Sequence, residues 1–481
     1  MKPASLFLCC IALLALAAAC FGKDRRGQLP PIPSAPAAFG VPLPILPTLA
    51  PTSSDATTDY YDITMQVGQK EIFPGQLTTI WGYNGIYPGP TIVARRDRRV
   101  VVRQLNNLQE STSVHLHGGH TPPASDGSPT DLIGPGATKT YEYPNTAQAA
   151  TIWYHDHAID VTGRHVYMGL AGFYLIHDSL EESLPLPKGK SDVALLLQDR
   201  LFDINGALVY PLTDDAIRNG VFGDTLLVNG AIQPYYQVAR RKMRFRILNG
   251  SNARIYKLAL SNGDPLIQIA SDGGLLSSPV TRQSITVGPG ERIEVVIDFA
   301  NYALGTSLIL KNLDTSGSPL IPDVMRFDVV RNETDTSSIP EYFSPELHLV
   351  EKFATAYRSF TLQQTQQAGR PVWTINGQLY DPARVDATPQ LNATEIWTFT
   401  NNSGQAHPMH IHDIQWQILD VNGVPPVPGD DGMKDTFLVP GAGGTVRVIG
   451  TFIDNLGTYV SHCHNLEHSD HAMMFNFAVQ P

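Results

Sequence analysis

Residues 461–474 read SHCHNLEHSDHAMM. One cysteine, Cys463, stands between His462 and His464, and His468 and Met473 follow within the same stretch. Thiolate, imidazole and thioether together are the ligands of a copper electron-transfer centre, a trigonal His₂Cys set with a weak axial Met. Cys463 would be the thiolate, His468 one imidazole and Met473 the axial ligand. His407, upstream in HPMHIH, would be the second imidazole. Zinc more commonly takes Cys₂His₂ or His₃ sets.

Three further His-x-His pairs accompany His462/His464: His115/His117, His155/His157 and His410/His412. In a strand, residues i and i+2 share a face and i+1 points the opposite way. Cys463 therefore faces one site while His462 and His464 face another, and the strand is a short link between two metal centres. The eight paired histidines suit a multinuclear cluster. His120, His165, His177, His348 and His471 fit no pair and are expected in surface or hydrogen-bonded structural roles. His120, close behind HLHGG, is the one that could support the cluster from behind.

The elements that must position these residues are written three times. NGIYPGPTIVARRDRRVVVRQLNN starts at Asn84, NGAIQPYYQVARRKMRFRILNGS at Asn229 and NGQLYDPARVDATPQLNATEIWTFTNNS at Asn376. The Asn-Gly pairs recur roughly 145 residues apart, a domain-sized period. A second set of anchors agrees: GPGATKTYEY from Gly134, GPGERIEVVIDF from Gly288 and VPGAGGTVRVIGTF from Val439. Each leads from a Pro-Gly turn into a strand-like alternation. Ile293, Val295, Ile297 and Phe299 alternate with Arg292, Glu294 and Asp298, as Met243, Phe245 and Ile247 do with Arg244 and Arg246. No long stretch has a helical period. The fold class expected is all-β: three tandem Greek-key β-sandwich or barrel domains, built on antiparallel strands.

The register of the repeat shows where chemistry was kept. GTYVSHCH from Gly457 aligns with ATIWYHDH from Ala150 and with GTSLILKN from Gly305. His462, Cys463 and His464 thus correspond to His155, Asp156 and His157, but to Leu310, Lys311 and Asn312 in the middle copy. The middle domain is expected to be a spacer without metal, and the cluster to lie between the first and third domains. The expected spans are 1–20 for a signal peptide, 21–55 for a Pro/Ala-rich linker or extended arm, and 56–182, 183–345 and 346–481 for the three domains.

Charged residues make up only 16 % of the 481-residue chain and the net charge is −11, which argues against nucleic acid, whose binding needs basic patches. MKPASLFLCCIALLALAAAC reads as a secretory signal: Lys2, an apolar stretch from Leu6 to Leu16, then Ala17 to Ala19. The apolar run falls short of the ~20 residues of a membrane-spanning helix. AAAC weakly resembles a lipoprotein box with Cys20 as the lipidated residue, although that box prefers Leu where Ala17 stands. Cleavage at or beyond Cys20 would leave Cys463 as the single cysteine. An exported lone thiol is preserved by burial or by a metal.

HLHGG, WYHDH, HPMHIH and HCHNLEHSDHAMM together strongly resemble the copper-binding segments of the multicopper oxidases. HLHGGHTPPASDG and WYHDHAIDVTGRHVYMGLAGFYLIHD are most similar to the three-domain branch of bacterial spore-coat laccases and bilirubin oxidases. The resemblance implies cupredoxin-like domains and four coppers per chain. It places His407, Cys463, His468 and Met473 at a type 1 copper. His115 and His410 would hold a type 2 copper, and His117, His155, His157, His412, His462 and His464 a type 3 pair. Single electrons would enter at type 1 from a small reducing substrate and pass through Cys463 to His462 and His464. Dioxygen would be reduced to water at the cluster. Asp126, in ASDG, matches an acidic residue near that cluster, with a simple turn role before Gly127 as its alternative. Near relatives carry Glu after the last type 1 histidine, where this chain has Ser469. That departure leaves the proton donor open, with Asp126 first and Asp470 second.

The resemblance implies a secreted or extracytoplasmic, monomeric oxidase of phenols, aromatic amines or bilirubin-like pigments. The alternatives are a metallo-oxidase of Fe(II), Mn(II) or Cu(I), and a non-catalytic cupredoxin scaffold. Nine Met without a Met-rich insertion disfavour Cu(I), and twelve retained ligands disfavour the scaffold.

Overall fold

The computed structural model describes residues 36–345 and 348–481. The signal sequence, Cys9, Cys10, Cys20, the first part of the Pro/Ala-rich segment, Glu346 and Leu347 lie outside the described residues.

Strands carry the fold, and no helix among the described residues exceeds seven residues. Six sheets form, two for each copy of the repeat. Each pair encloses an apolar cluster: Tyr61, Ile63, Val100, Tyr141 and Ile176 in the first, Leu195, Phe245, Leu258 and Phe327 in the second, Phe360, Trp397, Phe437 and Phe475 in the third.

The repeated Asn-Gly pairs are tight turns. Asn84, Asn229 and Asn376 have φ of 56°, 53° and 53°, and the glycines after them 67°, 77° and 72°. Positive φ at both positions is the turn that matches strand twist, and Asn-Gly tolerates it best. Each Asn side chain also accepts from the backbone N–H of an early strand of its own copy: Thr64 (2.9 Å), Leu196 (2.8 Å) and Thr361 (2.7 Å). The repeat in sequence is thus a repeat of one hydrogen-bonded device.

Two expectations need correction. The sheets are not purely antiparallel. In every copy an early strand pairs in parallel with a later one: Thr58–Phe73 with Arg99–Asn106, Asp192–Arg200 with Lys242–Asn249, and Ala356–Gln367 with Thr394–Asn401. Hydrophobic alternation has the same period in either direction and cannot report it. The Pro/Ala-rich arm is also not a loose linker over its described part. Leu43 N–H donates to Tyr235 O (2.7 Å) and Leu49 N–H to Thr91 O (2.8 Å). Leu43 is buried in the second core, so the arm straps the first two units together.

The alternating charges of the middle copy are buried as well. Arg244 and Arg246 are 1 % and 2 % exposed and meet Glu181, Asp192 and Glu294. Their face of the sheet packs against the first unit rather than water.

Candidate metal centre

The four His-x-His pairs sit on matching strands. Val114–His117 pairs with Ala150–Asp156, and His115 lies opposite His155. His407–Ile411 pairs with Gly457–Cys463, and His410 lies opposite His462. The same register in the first and third copies aims four histidines from each toward one interface. There the rings interleave: His117 stacks on His410 at 3.6 Å and His115 on His412 at 3.8 Å, centroid to centroid. All eight are buried.

Ligand-atom proximity draws them into overlapping groups, since His117 also falls with His115 and His410, and His412 with His115 and Asp126. His117, His155 and His464 form one triad, and His157, His412 and His462 another, with nitrogens within 4.8 Å of one another. His115 and His410 approach Nε2 to Nε2 at 3.3 Å. Hydrogen bonding fixes which nitrogens are free. His115 Nδ1–H donates to Asp126 O (2.6 Å) and His410 Nδ1–H to Asp435 O (2.9 Å), so two bare lone pairs face each other. His155 Nδ1–H donates to Asp156 O and His462 Nδ1–H to Cys463 O. Each of the six triad histidines keeps at least one buried ring nitrogen without a partner. Buried, unpaired polar atoms cost about 1–3 kcal/mol each, and convergent lone pairs repel. A bound cation removes both costs. Burial, reinforced by neighbouring rings, also pushes the basicity of His117, His155, His157, His412, His462 and His464 well below the ordinary range. These rings are neutral ligands at physiological pH.

Cys463 points the other way, into the third core. Its Sγ lies 3.5 Å from His407 Nδ1 and 3.7 Å from His468 Nδ1, and the two nitrogens are 3.2 Å apart. A trigonal metal with bonds of about 2.0–2.3 Å needs a donor triangle of about 3.5 Å edges, so this trio fits one. Ser403 Oγ holds His407 Nε2 at 2.8 Å and Arg218 O holds His468 Nε2 at 3.2 Å, leaving both Nδ1 atoms free. Met473 is buried in the same cluster, and its carbonyl accepts from Cys463 N–H (3.0 Å). Burial pushes the Cys463 thiol up, so the thiolate forms when a metal displaces its proton.

The expected carboxylates separate. Asp126 Oδ2 accepts from His412 Nδ1 (2.8 Å), while Oδ1 is buried without a hydrogen bond, 3.5 Å from His115 Nδ1. Asp126 closes a short helix before Gly127, whose φ is 78°, and so stands both at a turn and beside the histidines. Asp470 instead accepts from Thr162 N–H and Gly163 N–H, holding a first-domain helix. Ser469 Oγ is 3.4 Å from His462 Nδ1. Among the unpaired histidines, His120 bonds Asp454 (2.5 Å), His177 bonds Glu181 (2.9 Å) and His471 Nδ1–H donates to Glu467 O (2.8 Å). His165 is fully buried against Asp156 (2.9 Å), nearer the cluster than its isolation in sequence implied.

Other residues were invisible to pattern. Asp435 bonds His117 Nε2 and, through its backbone, His410. Arg292 grips Asp435 from the middle unit. Trp373 packs on His407 and His468 at 4.7 and 4.2 Å. None belongs to a motif; only the Arg-for-Thr difference between GPGER and GPGAT hinted at Arg292.

A soft one-electron centre joined by one strand to a multinuclear histidine cluster is the architecture of copper oxidoreductases that gather electrons singly for a multi-electron acceptor. Residues 65–181 and 354–481 each match the Multicopper oxidase family. The chain is 38 % identical to a laccase of Bacillus stratosphericus, over 90 % of this chain and 97 % of that one. It is 35 % identical to the bilirubin oxidase of Albifimbria verrucaria, over 92 % and 82 %. The crystal structure of a laccase from Pediococcus acidilactici superposes with a TM-score of 0.84 at 33 % identity, covering 92 % of this chain and 94 % of that one. The chain belongs to the multicopper oxidase family, in its laccase-like branch. It is a copper-binding oxidoreductase with dioxygen as acceptor.

Proposed function

We propose that the chain holds four coppers and couples one-electron oxidation of phenols, aromatic amines or bilirubin-like pigments to reduction of dioxygen to water. The single observation that supports this best is the gathering of eight buried histidines at one interface, beside the separate trio of His407, Cys463 and His468. His407, Cys463, His468 and Met473 form the type 1 group. His115 with His410 forms the type 2 group, and the triads His117/His155/His464 and His157/His412/His462 form the type 3 pair. When bound, copper supplies the redox chemistry at both centres.

The chain's own residues do the rest. Cys463 joins the two centres covalently, because His462 and His464 flank it on one strand. Burial keeps water from the rings. Asp126 orients His412 through Oδ2, and its Oδ1, 3.5 Å from His115 Nδ1, places a carboxyl group for general acid–base work beside the cluster. The proton donor is therefore Asp126, with Ser469 Oγ at His462 in the place of a second acid.

An organic reductant is favoured over a metal ion. Among the described residues, every group of three or more metal-ligating side chains lies at the histidine core. The outer edge of His468 meets the Arg218 carbonyl, not a carboxylate. The test is a steady-state comparison of a phenol, bilirubin, Fe(II) and Mn(II) on copper-loaded protein. Faster turnover of either metal ion than of both organic substrates would overturn the reading.

The domain spans 56–182, 183–345 and 346–481 are part of this proposal, with the middle one lacking copper. Export through the leader at 1–20 and a monomeric state complete it. No helix among the described residues is long and apolar enough to cross a membrane.

A further inference from the structure

A short helix of the middle unit lies over His468, the histidine proposed for electron entry. Its formation is local. Thr213 Oγ1 accepts from Ala216 N–H (3.1 Å), Asp214 and Asp215 stand in the first turn, and Gly220 ends Asp214–Asn219 with φ of 89°. What holds it in place is not local. The last four carbonyls of a helix have no partner within it. Here Ala216 O finds one close by, in Gly220 N–H (2.7 Å). The other three reach across to the third unit. Ile217 O accepts from Trp373 Nε1–H (2.8 Å) and Asn219 O from Asn465 Nδ2–H (3.2 Å). Arg218 O accepts from His468 Nε2–H (3.2 Å) and also from Gln405 Nε2–H.

The flanks are tied in the same way. Arg370 Nε donates to Asp214 Oδ1 (3.3 Å) before the helix, and Val221 N–H to Glu467 Oε2 (2.9 Å) behind it. A Cβ on Gly220 would lie 2.5 Å from Asn465 Nδ2, so the backbone itself packs against the segment that carries Cys463 and His468.

Burial then divides the two sides of the helix. His468 is 0 % exposed. Thr213, Asp214, Asp215, Arg218 and Asn219 are exposed. A reductant arriving from solvent meets the outer side of the helix and not the ring. Lifting the helix would leave the carbonyls of Ile217, Arg218 and Asn219 and the donors of Trp373, His468 and Asn465 without partners at the same time. Such unpaired buried groups are costly, so the helix is a fixed cover rather than a lid.

We infer that the one-electron donor never touches His468: it docks on the exposed side of the helix Asp214–Asn219, and the electron crosses through the Arg218 peptide and its hydrogen bond to His468 Nε2. The inference rests on the assignment of His468 to the electron-entry site. It makes Arg218, with Asp214 and Asp215, the residues that select donors, by charge rather than by shape. It also fixes the fate of the proton. A phenol that gives up one electron becomes a phenoxyl radical and releases one proton. The outward nitrogen of His468 already donates to Arg218 O, so that proton passes to solvent.

The first test needs no altered function. In the fully reduced, copper-loaded enzyme, ¹⁵N-histidine NMR should show the His468 Nε2–H, assigned by its loss in His468→Gln, persisting for minutes or longer after transfer into D₂O. A signal lost within the mixing time overturns the inference, because water then reaches the ring. The second test reads the docking face. Ferrocenecarboxylate and (ferrocenylmethyl)trimethylammonium share a one-electron scaffold and differ in charge. Arg218→Glu should shift the ratio of their kcat/KM values about tenfold toward the cation at low ionic strength, and the shift should fade with added salt. Asp214→Asn combined with Asp215→Asn should shift it toward the anion. The thiolate band and the reduction potential should stay as in wild type, because none of these substitutions removes a backbone carbonyl. A ratio that Arg218→Glu leaves unchanged overturns the inference. If copper-loaded wild type has no thiolate band, the site assignment fails and the inference falls with it, a result distinct from fast exchange or an unchanged ratio with the band intact.

Discussion

Cys463 is the residue on which two functions meet. Its sulfur closes the trio with His407 and His468, and its backbone carries His462 and His464 into the cluster. Cys463→Ser should abolish the thiolate-to-copper absorption and the copper bound there, while most cluster copper stays, as metal analysis beside the visible spectrum would show. Proton linkage gives the pH dependence. Burial raises the Cys463 thiol, whereas it lowers His407 to about 3 and His468 well below its usual range. Between pH 5 and 8 the metal therefore displaces one proton, from sulfur. Affinity at this site should rise about tenfold per pH unit, and a competition titration showing no pH dependence would refute it. Asp126→Asn removes the carboxyl group that holds His412 and replaces the atom proposed to carry a proton. Reoxidation of the reduced enzyme by dioxygen should slow by about 10²-fold or more, with reduction by substrate little changed. Stopped-flow traces of the two half-reactions separate these steps, and equal slowing of both would make Asp126 only structural.

At the scale of elements, the strand is the unit that turns spacing into a site. Two-residue periodicity sends Cys463 to one side and its neighbours to the other, so two separate sites were legible without coordinates, while the division of the histidines among coppers came from the family resemblance. The same duplication placed His155 opposite His115 in the first unit, with His157 just beyond the end of that ladder. Illegible were contacts between elements distant in sequence: Asp435 on His117, Arg292 on Asp435, His165 on Asp156. Each is a single polar residue whose meaning depends on what packs against it, and local periodicity carries no such information. Strand direction was lost for a similar reason, since the parallel pairs are set by chain crossing and not by alternation. Composition reads the arm at 36–55 as a linker or extended arm, and the hydrogen bonds of Leu43 and Leu49 fit the latter. Leu43 is 6 % exposed and lies in the second core. Leu43→Ala should destabilise the protein by about 2–5 kcal/mol, seen as a lower denaturant midpoint with the visible spectrum of the folded, copper-loaded protein unchanged. A midpoint equal to wild type would mean the strap contributes no net stability.

In the whole molecule, three similar units have divided one task. On the proposed assignment the third holds the electron entry and half the cluster and the first holds the other half, while the middle one packs charged side chains against both. Arg244 and Arg246 meet Glu181 of the first unit, and Arg292 meets Asp435 of the third. The result is a cluster sealed between units, with the mononuclear site on its own side of one strand. On the proposed assignment, that separation lets electrons arrive one at a time and dioxygen react with several at once. The measurement that tests this most directly is the ratio of substrate oxidised to dioxygen consumed by the copper-loaded enzyme. With a one-electron phenolic donor such as 2,6-dimethoxyphenol, an oxygen electrode and a peroxide assay should show four donor electrons per dioxygen and no hydrogen peroxide. Two electrons per dioxygen with peroxide accumulating, or donor oxidation without oxygen uptake, would contradict a joined four-copper site.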